Sequence, residues 1–574
     1  MLSTAFIVTS FLWNPTVTGK YFYFALVVSA ASLVVAFRFF RRLAAFRICL
    51  TDVAVFCFAA WVFAGYTINR THPAGMSFWL FLLLVPLYVV IRVTLHDKAM
   101  MRQLVWLILF VIITESVWGL LQLHGFLKSY HNIFSVTGSF YNPGPYSGFL
   151  ACGVPLALHC VLNGRNRAEK VLGLFCLIAV GLILPASMSR AAWVAVVAGI
   201  VPVMLHYSRN AHLQSKIFNQ KSKITYLVFA GLFVAGAFYG LYSFKKNSAD
   251  GRILIWRVSA DLVLANPLTG SGLGSFQVLY DGAQANYILS GKASKKQQAI
   301  ADTPEYAFNE YVQITVEHGI IGLLLFLCVI FSLFVKRDAR AENDSIVSAV
   351  HGSLVVFCVF AFFSYPFSML DLTILFVVLM AMSASLSQPV ERLQASWVSA
   401  VAGILCLAMT GYASVEILSR YTAYRDWKSV QVMYNTNDFE NTINNYHRLY
   451  PKLNRQKQFL FEYARCLATA EKYEASNAML DRYLLFGSDP TIYNCMGDNY
   501  KNMGDYQKAE NMYLRASQIV PGRHLPLYLL MKLYQETGQT EKERAMAKTL
   551  LEKPVKVPSA TIRKIQEDAR KIEN

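Results

Sequence analysis

Two arginines near apolar stretches are the residues best suited to chemistry in this sequence. Arg190 opens an apolar run, and Arg252 and Arg257 flank Trp256 in a more polar stretch. A guanidinium group binds phosphate oxygens through paired hydrogen bonds. It also stabilises the charge on a departing diphosphate without a metal ion. If Arg190 and Arg252 face one cavity, we expect them to bind a diphosphate there. Alternatively, Arg190 is an interfacial arginine whose side chain snorkels to the membrane surface, and Arg252 and Arg257 lie on an amphipathic surface helix.

Two glutamates are further candidates. Glu115 lies inside an apolar run, where a charged residue costs about 2.5–3.5 kcal/mol on insertion scales, so its presence needs a reason. Glu310 follows Asn309 just before another apolar run. Either glutamate could instead have no catalytic role. Glu115 could bond to a neighbouring helix, and Glu310 could be a solvated carboxylate in a loop. The polar regions contain no Asp-x-Asp or histidine cluster, so we expect no metal and no cofactor.

The composition of the chain indicates that membrane-spanning helices position these residues. The chain has 574 residues, of which 55% are hydrophobic and only 15% charged, and its mean hydropathy is +0.38. Ordinary soluble domains carry about 25% charged residues. Up to about residue 418, runs of 17 to 23 uncharged residues alternate with short charged loops, and such runs match the length of a spanning helix. The pattern predicts twelve spans, starting near residues 21, 51, 77, 104, 146, 171, 191, 225, 319, 347, 372 and 397.

Lysine and arginine are unevenly distributed over the loops between these spans. One set of loops holds 18 of them and the opposite set holds four, among them Arg190. The richer set is expected to be cytoplasmic, which places both termini outside. The net charge of +18 is therefore a topology signal, and we expect no nucleic-acid partner. Residues 2–13 are apolar but too short to span; either the first helix begins at Tyr21 or the chain starts inside an earlier span.

The sequence divides into a membrane domain at 1–418, with a large outer loop at 245–318, and a polar region at 419–574. Phe439, Tyr473, Tyr506 and Thr540 are spaced by 33 or 34 residues. This period, with small residues and closing prolines, resembles the tetratricopeptide repeat. The expected fold is all-α: a polytopic helix bundle followed by an α-solenoid. Such solenoids bind polypeptides on a concave surface, although the repeats could also merely support the membrane domain.

Four stretches resemble the O-antigen ligase family of bacterial membrane glycosyltransferases, which includes protein O-oligosaccharyltransferases. In chain order they are Gly138 to Pro143, Ser189 to Trp193, Gly251 to Trp256 with Asn266 to Phe276, and Asn309 to Tyr311 with Gly319 and Gly322. The resemblance covers roughly residues 100–390. The charge count places all four stretches on the outer side, where the chemistry of the family occurs.

The resemblance implies a transfer reaction in the bacterial inner membrane. A glycan assembled on undecaprenyl diphosphate would move to an acceptor hydroxyl on the periplasmic face, and the lipid diphosphate would leave. The two arginines of the family that hold the diphosphate correspond to Arg190 and Arg252. No nucleotide sugar and no metal would be needed. We further expect substrate contacts from Glu115, Tyr141, Asn142, Trp256, Arg257 and Asn309.

One position departs from the family. A histidine that is the family's proposed base usually precedes the asparagine of the fourth stretch, but Phe308 stands there. Another carboxylate could serve as the base, and we favour Glu310, with Glu115, Glu305 and His318 as other nearby groups. Alternatively, leaving-group stabilisation could make a base nearly dispensable, or the protein could be catalytically inactive.

The sequence thus favours a glycan transferase with a lipid bilayer around it and an undecaprenyl-diphosphate-linked glycan as donor. The acceptor could be lipid A–core or a Ser/Thr of a secreted protein, and a polypeptide partner at the repeats would favour the latter. The alternatives are an O-antigen-type polymerase and a non-catalytic membrane scaffold that recruits partners through the repeats.

Overall fold

The computed structural model of the chain describes residues 1–41, 47–68, 75–95, 97–210, 246–335, 345–387, 389–392, 396–434, 438–556 and 558–573. Its first fourteen helices are α1 Thr18–Phe40, α2 Leu50–Ile68, α3 Met76–Thr94, α4 Lys98–Leu123, α5 Pro143–Asn163, α6 Arg167–Ile183, α7 Arg190–Asn210, α8 Lys246–Ala265, α9 Phe276–Leu289, α10 Lys295–Ile300, α11 Glu310–Ser332, α12 Ser345–Phe363, α13 Leu370–Ser385 and α14 Ser396–Leu418. Short 3-10 turns lie at Leu2–Phe6, Pro185–Ser187 and Pro366–Ser368.

Nine helices are long and apolar enough to cross a membrane, counting only the described residues: α1 to α7, α11 and α12, with α6 continuing through Ser187. Only helices and closed barrels satisfy their backbone hydrogen bonds in lipid, so the expected all-α membrane bundle is found. Eight of the nine begin within about six residues of a predicted start. The ninth, α11, begins at Glu310 instead of Gly319.

Three predicted spans have no counterpart among these nine. The one expected near residue 225 lies outside the described residues. The one near residue 372 corresponds to α13, which is apolar but has only 16 residues. The one near residue 397 corresponds to α14, whose first residues have undescribed side chains. The count of twelve therefore stays a prediction.

Helix α13 lies at the centre of the bundle, where it packs against α3, α5 and α12. Every residue from Asp371 to Ala384 is buried. Asp371 forms an ion pair with Lys20 of α1, with 2.6 Å between Nζ and Oδ2. Because a buried charge without a partner is costly, this pair fixes α1 against α13.

A second buried ion pair lies at the other end of the bundle. Arg92 of α3 donates to both carboxylate oxygens of Asp52 on α2, at 2.9 and 2.8 Å, and to the Ser385 hydroxyl at 3.1 Å. Beside it, strand β1 Arg47–Cys49 pairs antiparallel with β2 Pro389–Arg392; these are the only strands in the described part of the chain. Together these contacts tie α2, α3 and α13.

The opposite side, which we call the loop face, carries residues 246–309. Helices α8 and α9 share a small core there, formed by Leu254, Val258, Phe276, Tyr280 and other apolar side chains. This core also includes Val316 of α11. The outer loop, in which we expected helices that cap the cavity, is a compact helical cap that rests on the first turns of a span.

Nine more helices make up what we call the C-terminal helical region: α15 Tyr421–Tyr434, α16 Phe439–Leu453, α17 Lys457–Thr469, α18 Tyr473–Leu484, α19 Pro490–Asn502, α20 Tyr506–Ile519, α21 Leu525–Glu536, α22 Thr540–Glu552 and α23 Ala560–Glu573. Consecutive helices pack on each other. The four residues that carry the 33- to 34-residue spacing each begin a helix. Gly504 and Gly538 follow α19 and α21 with φ of +80° and +69°, a backbone shape that ends helices and favours glycine.

The C-terminal helical region is docked on the cap. Gln284 of α9 donates to the carbonyl of Ile519 at 2.8 Å in a buried contact. Arg523 forms an ion pair with Asp302 at 3.3 Å. Further along, Trp13 stacks on Trp427 with ring centroids 4.3 Å apart. The region is thus held against the same face of the bundle that carries Arg190 and Arg252.

Candidate functional site

A break in helix α11 anchors the glycine-rich stretch after α8. Gly319 has φ 70° and ψ −175°, which interrupts the helix. The amide of Ile320 then donates to the carbonyl of Pro267 at 2.8 Å, and the amide of Gly272 donates to that of Glu317 at 2.8 Å. Glu317 also accepts from the amide of Gly274 at 3.0 Å. The third and fourth sequence stretches therefore form one unit, which fixes α8 to α11.

Arg190 and Arg252 both lie at the loop face and interact electrostatically. Arg190 is the first residue of α7 and follows the turn at Pro185–Ser187. Arg252 lies on α8 and is partly buried. Burial, and then the positive charge of Arg190, lower the pKa of Arg252 to about 10. Two cations within electrostatic reach repel each other, so an anion bound to both would relieve the repulsion.

Aromatic side chains form a wall beside this pair. The Arg252 guanidinium lies 5.4 Å from the centroid of the Phe308 ring. Phe308 meets Tyr365 edge to face at 5.2 Å, and Tyr306 stacks on Tyr365 at 4.4 Å. On the other side, the Trp256 indole donates to the carbonyl of Ala307 at 3.0 Å. Phe308 thus occupies the histidine position of the fourth stretch as a cation–π partner of Arg252.

Tyr365 links the arginines to another charged group. Burial, and then the negative charge of Glu305, raise the pKa of Tyr365 to about 12, whereas the positive charge of Arg252 opposes the shift. Glu305 itself is 53% exposed and forms an ion pair with Lys457 of α17. The Tyr365 phenol therefore lies within electrostatic reach of both the Glu305 carboxylate and the Arg252 guanidinium.

Glu310 lies elsewhere. Its side chain is only 3% exposed, and its Oε1 accepts from the amide of Phe367 at 2.7 Å. It lines a cavity of about 380 Å³ between α2, α3, α11 and α13, together with Glu317 and many apolar side chains. Tyr306 also lines this cavity, so the cavity borders the aromatic side chains beside Arg252. The catalytic role predicted for Glu310 stays a prediction.

Glu115 is fully buried and shapes the first stretch. Its Oε2 accepts from the amide of Ser139 at 3.0 Å, and Tyr146 donates to its carbonyl at 2.9 Å. Lys20 lies within 3.4 Å of the carbonyl of Ser139. One oxygen of the Glu115 carboxylate thus belongs to a polar network inside the bundle, and the side chain has no exposed surface.

The remaining predicted binding residues fall into two groups. Asn142 and Asn309 cap helices: Asn142 accepts from the amide of Gly144 at 2.9 Å, and Asn309 accepts from those of Tyr311 and Val312 at 3.0 and 3.2 Å. Such caps fix where α5 and α11 begin. Tyr141 and Arg257 are exposed at the surface. The sequence did not single out Tyr365, which lies in no stretch and reaches the site only through tertiary contacts.

Comparison with known proteins points in the same direction. The profile of the family described as O-antigen ligase matches residues 174–327, which include both arginines and the break at Gly319. Proteins provisionally named polysaccharide ligases in Rickettsia conorii, Rickettsia prowazekii and Rickettsia typhi are 28%, 26% and 27% identical over 124 residues. That segment is 22% of this chain and 28–29% of each relative, so the chain matches less than a third of their length.

The fold and these matches define a class: a multi-pass membrane protein with the features of a glycan ligase. More narrowly, the matched profile and the relatives support the O-antigen ligase family, in agreement with the resemblance of the four sequence stretches.

Proposed function

We propose that the protein transfers a preassembled glycan from undecaprenyl diphosphate to an acceptor hydroxyl on the periplasmic face of the bacterial inner membrane. The observation that carries this proposal is that Arg190 and the partly buried Arg252 act on each other electrostatically at the loop face. Two neighbouring guanidinium groups suit the two phosphates of a lipid diphosphate. In this proposal the loop face is periplasmic.

The reaction needs one bond exchange. The acceptor oxygen attacks the anomeric carbon of the glycan, the bond from that carbon to the diphosphate breaks, and the acceptor proton passes to a base and then to water. Most of the acceleration comes from Arg190 and Arg252, which stabilise the negative charge gained by the diphosphate. Phe308 holds the guanidinium of Arg252 in place.

The C-terminal helical region supports a role in acceptor delivery. Its four evenly spaced helix starts fit a tetratricopeptide-repeat solenoid, and solenoids of this kind bind polypeptides. Because it is docked on the cap beside Glu305, a polypeptide bound to it would lie near the arginine pair. A secreted protein with Ser/Thr acceptor sites is therefore our first choice of acceptor, with lipid A–core as the second.

The test uses the purified full chain in detergent with an undecaprenyl-diphosphate-linked oligosaccharide. Lipid A–core and a Ser/Thr-containing secreted protein are offered in parallel. We expect one of them to gain the glycan. Arg190→Ala and Arg252→Ala should each lower the transfer rate by about 100-fold or more, the effect of removing one group that stabilises a transition-state charge. Arg544→Ala, an exposed change in α22, is the matched control.

Other outcomes would identify other functions. Lengthening of the lipid-linked glycan without acceptor transfer would indicate a polymerase. If neither reaction occurs with authentic substrates, and if both arginine variants bind undecaprenyl diphosphate as the wild type does, the scaffold interpretation replaces the enzyme.

A further inference from the structure

The segment 302–309 joins the arginine pair to the C-terminal helical region. At one end, Asp302 pairs with Arg523 at 3.3 Å, and the Thr303 hydroxyl accepts from the same side chain at 3.4 Å. At the other end, Phe308 lies against Arg252. Glu305 stands between these ends. The segment 302–309 therefore contacts both the arginine that would bind the donor and the C-terminal helical region that would bind the acceptor.

Glu305 is the carboxylate best placed to meet an acceptor. It is 53% exposed, whereas Glu310 and Glu115 are 3% and 0% exposed. In addition, one carboxylate oxygen of Glu310 accepts a hydrogen bond from a backbone amide. The next residue, Tyr306, stacks on Tyr365, and Tyr365 meets the Phe308 ring that lies beside Arg252. Glu305 and Arg252 both act electrostatically on Tyr365.

We propose that Glu305 is the general base of the transfer and that Lys457 is its positioning residue. This inference rests on the proposed function. The Glu305 carboxylate takes the proton of the acceptor hydroxyl as its oxygen forms the bond to the anomeric carbon, and the bond to the lipid diphosphate breaks. The proton then leaves Glu305 for water. In this proposal the base and the leaving-group site border the same cluster of aromatic side chains, formed by Tyr306, Phe308 and Tyr365.

Lys457 connects this base to the C-terminal helical region. It lies at the start of α17, and its ammonium group contacts both Glu305 and the side-chain oxygen of Gln277, the latter at 3.4 Å. It is itself only 32% exposed, so its geometry is restrained. An acceptor bound to the C-terminal helices would therefore arrive beside a carboxylate that those helices hold in place.

The test compares carboxylate variants in the transfer assay described above. Glu305→Gln should lower kcat by about 100-fold or more, the usual contribution of a general base. Its affinity for radiolabelled undecaprenyl diphosphate should stay at the wild-type value, because the arginines are intact. Glu305→Asp should recover part of the rate. Glu310→Gln is the competing variant, and Glu541→Gln in α22 is the matched surface control.

Chemical rescue separates catalysis from structure. Added formate should raise the rate of Glu305→Ala several-fold, because a small carboxylate can replace the missing base, and it should leave Arg252→Ala unchanged. For Lys457, Lys457→Met should raise KM for the acceptor and lower kcat while the donor affinity holds. Lys457→Arg should restore both. A purely structural role for either residue would give no rescue.

The outcomes distinguish this inference from the proposed function. If the wild type transfers glycan, both arginines are required and Glu305→Gln is fully active, the base assignment fails and the proposed function stands. If Glu310→Gln lowers kcat strongly and Glu305→Gln does not, Glu310 is the general base and Glu305 is not. If the wild type transfers no glycan with authentic substrates, the proposed function fails and this assignment fails with it.

Discussion

Phe308 shows how one side chain changes the interpretation of a motif. From sequence, its position lacks the family's histidine, and the missing base is the obvious consequence. In the structure the centroid of the Phe308 ring lies 5.4 Å from the guanidinium carbon of Arg252. The backbone of Phe308 is left-handed, with φ 51°. Phe308 therefore offers Arg252 an aromatic contact at the position where the resemblance implies a proton acceptor. Guanidinium chemistry and the family resemblance singled out the two arginines from the sequence. Neither could predict Tyr365 or the orientation of Glu305, because both depend on contacts distant in sequence.

The Phe308 contact leads to a prediction at the residue scale. Phe308→Leu keeps an apolar side chain but removes the ring, and a partly desolvated cation–π contact contributes about 0.5–2 kcal/mol. We expect KM for the lipid-linked donor to rise by about 2- to 30-fold. Phe308→Tyr should stay near the wild-type value. Equal KM values for the leucine and tyrosine variants would show that the ring has no role in holding Arg252.

At the scale of elements, hydropathy predicted the bundle well because each span must satisfy its own backbone in lipid. It misplaced the start of α11. The apolar run begins at Gly319, but the helix begins at Glu310 and is only interrupted at Gly319. The polar first turns are held by Asn309 and by the glycine-rich stretch, so tertiary contacts and not apolarity determine where this helix begins.

The break in α11 gives an element-scale prediction. The backbone of Gly319 lies in a region that is essentially restricted to glycine, and another residue there costs about 1–3 kcal/mol. A Cβ would also collide with the carbonyl of Leu268. Gly319→Ala should therefore lower the thermal midpoint in detergent and reduce transfer, because α8 carries Arg252.

Gly181→Ala is the matched control for this change. Gly181 lies within α6, and a Cβ there would meet no atom within 4 Å. The two alanine variants should differ clearly in thermal midpoint. A Gly319→Ala protein as stable as Gly181→Ala would contradict the anchoring role of the break.

At the scale of the whole molecule, a buried carboxyl lies where the cap meets the C-terminal helical region. Asp281 of α9 is 2% exposed. Burial, and then the negative charge of Asp489, raise its pKa to about 8; Asp302 adds to the shift, whereas Arg523 and a hydrogen bond from Ser488 oppose it. An exposed aspartate titrates near pH 4, so the docked state holds a proton that the undocked state gives up.

The sign of this linkage predicts the pH dependence of docking. The contribution of Asp281 is fully present below about pH 4 and is lost progressively as pH rises to about 8. Hydrogen exchange in Phe276–Leu289 should therefore indicate looser docking at pH 8.5 than at pH 6, after correction for the intrinsic rate. Asp281→Asn should remove most of this difference. If the asparagine variant keeps the same pH dependence of hydrogen exchange, groups other than Asp281 cause it.

The shortness of α13 has a consequence for the depth of the site. A helix of 16 residues is about 24 Å long, and the hydrocarbon core of a bilayer is about 30 Å thick. Lipid would have to thin around such a helix, but α13 is enclosed by protein from Asp371 to Ala384. The turn at Pro366–Ser368, and Tyr365 beside it, can therefore sit below the level of the lipid head groups. A prenyl diphosphate would then reach the aromatic wall at nearly the depth at which the bilayer already carries it, without being lifted into water.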